Sequence, residues 1–247
     1  MKLSKGKNML QNEAMEVFDG TMLGDSSLKH SGGSAFIDTT RSGEQYMSYL
    51  TQLRDTLILL GMEFCTDHPK SSEQVSKGKP YTYCCLSSHT SSFLLEQRHR
   101  WYPGGKKIVP NDVRITPLSM AYEFMDDGST SWLQGNNVTL SLSTNSFTRE
   151  EVYRLRDSIA AKFGVYFYPL NNHGWMLFLR KTDEVNLFLD QIEEYILSCY
   201  EYKVKRPWYK GTQDGHESEE SIRDIDEAEE SMQKEISNLR RKLGGNS

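Results

Sequence analysis

The sequence lacks a long hydrophobic run. No apolar stretch approaches the ~20 residues that a membrane-spanning helix needs, and the start, residues 1–7, has no apolar segment of the kind found in secretory signals. We therefore expect an intracellular, non-secreted protein with no membrane partner. The sequence leaves open whether its compartment is a bacterial or phage cytoplasm or an organelle.

Cysteines are few, and their spacing excludes two classes of site. The four of them, Cys65, Cys84, Cys85 and Cys199, form no Cys-x-x-Cys pair. Metal sites and disulfide frameworks usually show regular cysteine spacing. We expect buried, reduced thiols rather than a zinc site or a disulfide frame.

An excess of positive charge is also missing. The chain has 29 Lys and Arg residues against 34 Asp and Glu residues. The part through Lys210 contains 24 of each, so the tail supplies the whole excess of acid. Because phosphate binding usually needs a basic surface, a neutral body argues weakly against a nucleic-acid partner. Overall neutrality does not exclude a basic groove whose charge is balanced by acidic residues elsewhere on the body.

The chain does contain two apolar helices that end in acids. Thr116 is a suitable N-cap, Pro117 suits the first helical turn, and Gly128 can end the helix. Asp126 and Asp127 then lie at its C-terminus, where the helix dipole disfavours negative charge. Residues 12–26 repeat this arrangement and end at Asp25. The pair predicts a symmetric site at which a cation would offset the charge.

The segments after each acidic helix also repeat. In the second half we predict strands at 137–143, 165–168 and 175–179, with a capped helix from Thr148 to Gly164 and another at 185–196. In the first half we predict strands at 34–39 and near 81–86, a helix ending at Gly61 and another from about Ser91. Asp25 to Gly61 spans 36 positions and Asp127 to Gly164 spans 37. This order predicts a duplicated α/β unit.

These residues resemble the LAGLIDADG homing endonucleases of the single-chain, two-motif type. The resemblance covers roughly residues 11–206. It rests on the second motif at 120–128, its lead-in at 106–111 and the segment 144–148, with a less complete first motif at 19–25. It implies a mixed α/β fold of two pseudo-twofold αββαββα units, whose two antiparallel sheets form a DNA-binding saddle.

The resemblance also implies the site. Asp25 and Asp127 would be the catalytic residues and would bind Mg²⁺ (or Mn²⁺), with backbone carbonyls of Gly24 and Asp126 as further ligands. The lysines of the active site would be Lys107 and Lys203. Side chains on the outward strand faces would contact double-stranded DNA in the major groove; the candidates are Lys29, Lys79, Thr139, Ser141, Ser143 and Arg180.

Two details of the motif helices carry expectations of their own. Small residues at the helix crossing would permit close approach, and Gly20, Gly24 and Ala121 can provide them. Glu123 is a departure, because the family often has a large aromatic residue there. We expect its charge to face solvent or a partner.

The predicted domains are a first half at 1–115, a second half at 116–210, and a tail at 211–247. The tail begins as a linker and continues as an acidic helix with a heptad seam, Ile222, Ile225, Glu229, Met232, Ile236, Leu239 and Leu243. We expect a core that is monomeric, and the sequence leaves open whether the tail self-associates.

Three functions follow from the resemblance. The first is a site-specific, metal-dependent endonuclease that cuts both strands of a long DNA target and promotes intron or gene mobility. The second is a group I intron RNA maturase of the same fold, with intron RNA as its partner, and the third is a catalytically inactive DNA-binding relative. Retention of both Asp25 and Asp127 favours the endonuclease, because RNA binding alone needs neither carboxylate.

Overall fold

The computed structural model describes residues 11–76, 79–132, 138–171 and 173–205. Its helices are α1 (Gln11–Leu23), α2 (Met47–Leu57), α3 (Ser92–Trp101), α4 (Pro117–Asp127), α5 (Arg149–Phe163) and α6 (Thr182–Ile192). Its strands are β1 (Ser27–Ser31), β2 (Ser34–Ser42), β3 (Lys70–Ser76), β4 (Lys79–Ser87), β5 (Gly128–Trp132), β6 (Val138–Leu142), β7 (Tyr168–Asn171) and β8 (Trp175–Leu179). Short 3₁₀ segments lie at Glu44–Tyr46, Ile58–Leu60, Glu193–Tyr195 and Ser198–Lys203.

The two halves have the same topology. The first sheet has the order β1-β2-β4-β3 and the second β5-β6-β8-β7, and every described pairing is antiparallel. Gly61 and Gly164, at matching places in the two copies, both adopt left-handed backbone angles with φ of 76° and 71°. This conformation suits glycine and ends the preceding helical segment. The predicted duplicated αββαββα fold is therefore confirmed.

Local capping chemistry defines the helix ends. Thr116 caps α4 by accepting a hydrogen bond from the Ser119 N–H. In turn, the Thr116 N–H donates a hydrogen bond to the Ser119 side chain. Thr148 and Glu151 form the same reciprocal box at the start of α5. These interactions satisfy N–H groups that would otherwise have no partner in the first turn. Both predicted helix starts are confirmed.

The two motif helices, α1 and α4, pack against each other and are buried over most of their length. A Cβ atom added at Gly20 would lie 2.9 Å from both the Ser119 carbonyl carbon and the Tyr122 Cβ. One added at Gly24 would lie 2.8 Å from Asp126 Oδ2. Real side chains do not approach so closely, so only glycine fits at Gly20 within α1 and at Gly24 just after it.

Helices cover one face of each sheet. In β6, Val138, Leu140 and Leu142 are buried, whereas Thr139 and Ser141 on the other face are partly exposed. This alternation is typical of an antiparallel sheet with one face on the core. The outward face is therefore open for binding.

Several segments differ from the sequence predictions. Strand β7 begins at Tyr168 rather than at residue 165. Strands β1, β3 and β5 were not predicted, because they are polar and are held by pairing with neighbouring strands. Cys84 is buried as expected, but Cys65 is exposed, and all four cysteines are free thiols. The predicted tail helix lies outside the described residues. Within those residues, no helix combines the length and apolar character needed to span a bilayer.

Candidate active site

The ends of the motif helices bring the predicted acids together. Asp127 is the last residue of α4, and Asp25 follows the end of α1 by two residues. The Asp25 N–H donates to Asp126 Oδ2 at 3.4 Å, so the two helix ends touch at this point. The Asp25 side chain is 46% exposed. Its carboxylate is therefore accessible from solvent.

Burial and neighbouring carboxylates raise the pKa of Asp25 and Asp127. Burial raises the pKa of Asp127 to about 7, and the nearby carboxylates of Asp25 and Asp126 add to the shift. Burial also raises the pKa of Asp25, although the Arg41 guanidinium opposes this shift. Burial and like charges both disfavour the ionised form of a carboxyl. The ionised forms of Asp25 and Asp127 are thus disfavoured here, and a bound cation would favour them.

Two lysines hold the ends of the motif helices. Lys107 Nζ donates to the carbonyl oxygens of Gly24 and Ser26, both at 2.9 Å. Lys203 Nζ donates to the carbonyl oxygens of Met125 at 2.8 Å and Gly128 at 2.7 Å. Each lysine therefore places a cation at a helix C-terminus, which is the favourable position for positive charge.

Their surroundings also lower the pKa of both lysines. Burial lowers the pKa of Lys107 to about 8, although Asp127, Asp126 and Asp25 oppose the shift. Burial lowers the pKa of Lys203 in the same way. Because Ser26 and Gly128 each follow an acidic residue of the site, the two lysines occupy matching places in the duplicated unit. Both predicted lysines thus lie at the acidic helix ends.

The Asp126 carboxylate has a structural role that its position in the sequence did not indicate. Its side chain is fully buried and forms an ion pair with the guanidinium of Arg41. It also accepts hydrogen bonds from Tyr49 Oη at 2.7 Å and Thr21 Oγ1 at 3.2 Å. The predicted role of Asp126 concerns its backbone carbonyl and stays a prediction. The carboxylate itself is committed to this network.

Sequence reasoning missed Arg41, which is only 5% exposed. Besides Asp126, it contacts Asp25 Oδ2 at 3.4 Å through Nη1. A usable signal was present, because Arg41 falls on the buried side of the β2 alternation, after Ala35, Ile37 and Thr39. A buried arginine requires a carboxylate or equivalent partner. The alternation alone could not identify which one.

The expectation for Glu123 was wrong. Its side chain is 1% exposed, and its Oε2 atom has no hydrogen-bond partner among the residues that the structure describes. Burial raises its pKa well above the usual value, and Asp127 and Asp126 add to this effect. The residue therefore lies in the interior, where burial favours the neutral form of its carboxyl group, rather than facing solvent.

The predicted DNA-contact residues lie at several places on the sheets. Lys29 on β1 forms an ion pair with Asp38 on β2. Thr139 and Ser141 lie on the outward face of β6, whereas the Ser143 N–H donates to the Asp127 carbonyl at 3.0 Å. The remaining two are Arg180, which is half-buried after β8, and Lys79, which begins β4 and whose side chain lies outside the described part of the chain.

The donor set fits a hard divalent cation. Within the described ranges, His, Cys, Asp and Glu side chains form no group of three or more arranged around a metal position. The available protein ligands are two carboxylates and nearby backbone carbonyls. Magnesium commonly takes one or two carboxylates and completes its shell with phosphate oxygens and water. The raised pKa of both Asp25 and Asp127 is the observation that supports this fit.

Paired sheets with two motif helices that meet at an acidic centre define a LAGLIDADG-type protein. The chain belongs to the LAGLIDADG DNA endonuclease family, whose family model matches residues 15–184. The predicted resemblance is thus confirmed.

Individual relatives include both endonucleases and a maturase. The chain is 30% identical over 203 residues to cytochrome b mRNA maturase bI2 of Debaryomyces hansenii, covering 79% of this chain and 74% of that protein. It is 31% identical over 105 residues to a probable intron-encoded endonuclease 1 of Wickerhamomyces canadensis, covering 40% and 45%. The solved homing endonuclease I-WcaI, bound to its DNA recognition sequence, has the same fold, with a TM-score of 0.69, 22% identity and coverage of 81% of this chain and 89% of that one.

Proposed function

We propose that the protein is a site-specific homing endonuclease, which hydrolyses one phosphodiester bond in each strand of a long double-stranded DNA target and promotes intron or gene mobility. The observation that carries the proposal is the presence of an acid at both motif helix ends, Asp25 and Asp127, each beside a lysine-held carbonyl group. A protein that only binds nucleic acid would not need this paired arrangement.

Asp25 and Asp127 would hold Mg²⁺ (or Mn²⁺), with the backbone carbonyls of Gly24 and Asp126 as further oxygen ligands. When bound, the metal would supply a lowered pKa for the attacking water and a counter-charge for the leaving oxygen. The Gly24 carbonyl already accepts one hydrogen bond from Lys107, which leaves it a second lone pair. The Gly24 carbonyl oxygen could therefore bind a metal ion while it keeps its hydrogen bond from Lys107.

Lys107 and Lys203 would have two roles in the reaction. Through their bonds to helix-end carbonyls they fix the backbone that carries each catalytic aspartate. As cations near the acidic centre, they would also stabilise negative charge that develops on the phosphate. A preformed cation of this kind does not have to be reorganised during the reaction.

The outward faces of the two sheets would contact the DNA. Hydroxyl groups on β6, with Thr139 and Ser141, and the side chain of Lys29 are suited to hydrogen bonds with base edges. Lys79, Ser143 and Arg180 remain candidates for the same surface. Affinity should fall steeply with added salt, since phosphate contacts release counterions.

A second function is supported by a specific relative. The protein named as an mRNA maturase is 30% identical over most of both chains. An intron RNA is therefore a candidate partner, either in addition to DNA cleavage or in place of it. The same fold without cleavage, as an inactive DNA-binding protein, would leave both aspartates without a role.

The test is selection of cleaved sites from a random duplex library with Mg²⁺. Wild type should release a defined set of cut sites, and Asp25→Asn and Asp127→Asn should each lower cleavage by at least about 100-fold, as expected when a metal ligand is lost. Asp55→Asn, at an exposed acid on α2, is the matched control and should cut normally. Cleavage that is unaffected by both active-site changes would exclude the assigned centre.

A further inference from the structure

A row of arginines and aromatic rings lies on the second half, away from the acidic centre. We name it the arginine–aromatic ladder, and it consists of Arg149, Tyr153, Arg156, Tyr166, Tyr168 and Trp175. The guanidinium carbon of Arg149 lies 5.1 Å from the Tyr153 ring centre and 5.5 Å from that of Trp175. The guanidinium carbon of Arg156 lies 4.5 Å from Tyr153 and 5.0 Å from Tyr166.

The ladder begins on the helix side of the second sheet. Arg149, Tyr153 and Arg156 are spaced so that they share one side of α5. On β8, Trp175 has the same parity as Leu177 and Leu179, which are buried beneath the helices. The start of the ladder is thus on the opposite side of the sheet from Ser141, and its contacts do not include Asp25 or Asp127.

Two members of the ladder have exposed side chains that could contact a ligand. Arg149 is exposed and has no carboxylate partner in the part of the chain that the structure describes. Tyr166 is 44% exposed, and only one of its neighbours in the ladder is a cation. Arg156, in contrast, pairs with Asp157 and its side chain is only 14% exposed. Arg156 therefore positions the rings, whereas the side chains of Arg149 and Tyr166 are exposed to solvent.

We propose that the arginine–aromatic ladder binds a single-stranded segment of RNA. The Arg149 guanidinium is held in place by two rings and can donate a fork of hydrogen bonds to a phosphate. The exposed ring of Tyr166 can stack on an unpaired base. A duplex has its bases already stacked, so such a ring offers it little. The choice of a nucleic acid as partner rests on the proposed function, whereas the site itself rests on the ladder.

Binding of a fluorescent random-sequence 30-nucleotide single-stranded RNA to the full chain tests this inference. Arg149→Gln and Tyr166→Leu should each weaken binding by about tenfold, as loss of one phosphate fork or one stacked base predicts. Lys162→Gln removes an exposed cation from the same helix, and Tyr81→Leu removes an exposed ring from the first sheet. Both controls should bind within about twofold of wild type.

Several results would overturn the inference. They are an absence of RNA binding by wild type, equal affinity of Arg149→Gln and Lys162→Gln, and a larger loss for Tyr81→Leu than for Tyr166→Leu, which would place the RNA on the sheet face. Ultraviolet crosslinking of wild type to the same RNA avoids any effect of substitution on folding. Crosslinks should fall within residues 149–175. Crosslinks confined to other segments of the chain would refute the site.

The same preparations separate this inference from the proposed nuclease. DNA cleavage should be normal in Arg149→Gln, because Arg149 stacks on Trp175, on the side of the second sheet opposite to Ser141. If wild type fails to cut DNA but its RNA binding depends on the ladder, the nuclease proposal falls and the ladder stands. If wild type cuts DNA normally but its RNA binding does not depend on the ladder residues, the ladder proposal falls and the nuclease proposal stands.

Discussion

Replacement of Gly20 by alanine tests the packing on which the whole centre depends. The new methyl group would meet the carbonyl group of Ser119 and the Cβ of Tyr122, with its nearest carbons at 2.9 Å. Ser119 cannot move aside easily, because its hydroxyl donates to the Arg114 carbonyl at 2.6 Å and completes the capping box of α4. The two helices must therefore separate.

The expected cost follows from two opposing effects. Alanine is about 1 kcal/mol better than glycine within a helix, which favours the variant. Overpacking of a tight interior costs about 1–3 kcal/mol, and more when backbone atoms are in the way. Because the obstruction here is backbone, we expect a net loss of about 2 kcal/mol in the free energy of unfolding. For a body of this size, that loss corresponds to a fall of roughly 4–8 °C in Tm.

Urea unfolding followed by circular dichroism measures this free energy directly. Gly104→Ala is the matched control, since a Cβ there would meet no atom within 4 Å. DNA cleavage by Gly20→Ala should also fall, because a shift between α1 and α4 separates Asp25 from Asp127. If Gly20→Ala unfolds within about 0.5 kcal/mol of Gly104→Ala, the inferred close packing is wrong.

Two further predictions concern the charges near the helix ends. Asp126→Asn removes the buried carboxylate partner of Arg41, which keeps only its longer contact with the more exposed Asp25, and should cost about 3 kcal/mol in urea unfolding. Asp38→Asn, which breaks an ion pair of the more exposed Lys29, should cost under about 1 kcal/mol, and similar losses for the two would contradict the buried pair. Without divalent metal, the raised pKa of Asp127 predicts that unfolding free energy falls as pH rises from about 4 to about 7, because the folded state retains a proton that the unfolded state releases. After allowance for solvent screening, we expect about 2 kcal/mol of this fall to come from Asp127. Asp127→Asn should remove that part and leave the contributions of Asp25 and Glu123, whose pKa is also raised. An unchanged pH slope in the variant would count against the shift.

Local chemistry made much of the fold predictable. The boxes at Thr116 and Thr148, and the glycines at 61 and 164, act within a few residues of sequence, so their roles could be inferred from the chain alone. Strands β1, β3 and β5 could not, since their polar sequences carry little apolar alternation. Their pairing with neighbours, rather than their own pattern, makes them strands.

The site divides in the same way. The acids and lysines were found through the repeat, because each occurs at a matching place in both halves. Arg41 and Asp126 pair with each other across the two halves and lie 85 positions apart, so no local pattern connects them. The burial of Glu123 likewise depends on how the two motif helices pack, which composition and periodicity do not define.

The helix crossing is unequal, because the first half contributes Gly20 and Gly24 where the second contributes Tyr122 and Asp126. Two copies of the first half would leave an empty seam, and two copies of the second would force tyrosine against tyrosine and carboxylate against carboxylate. If the gene were split between the halves, the fragments should therefore recombine only as a mixed pair.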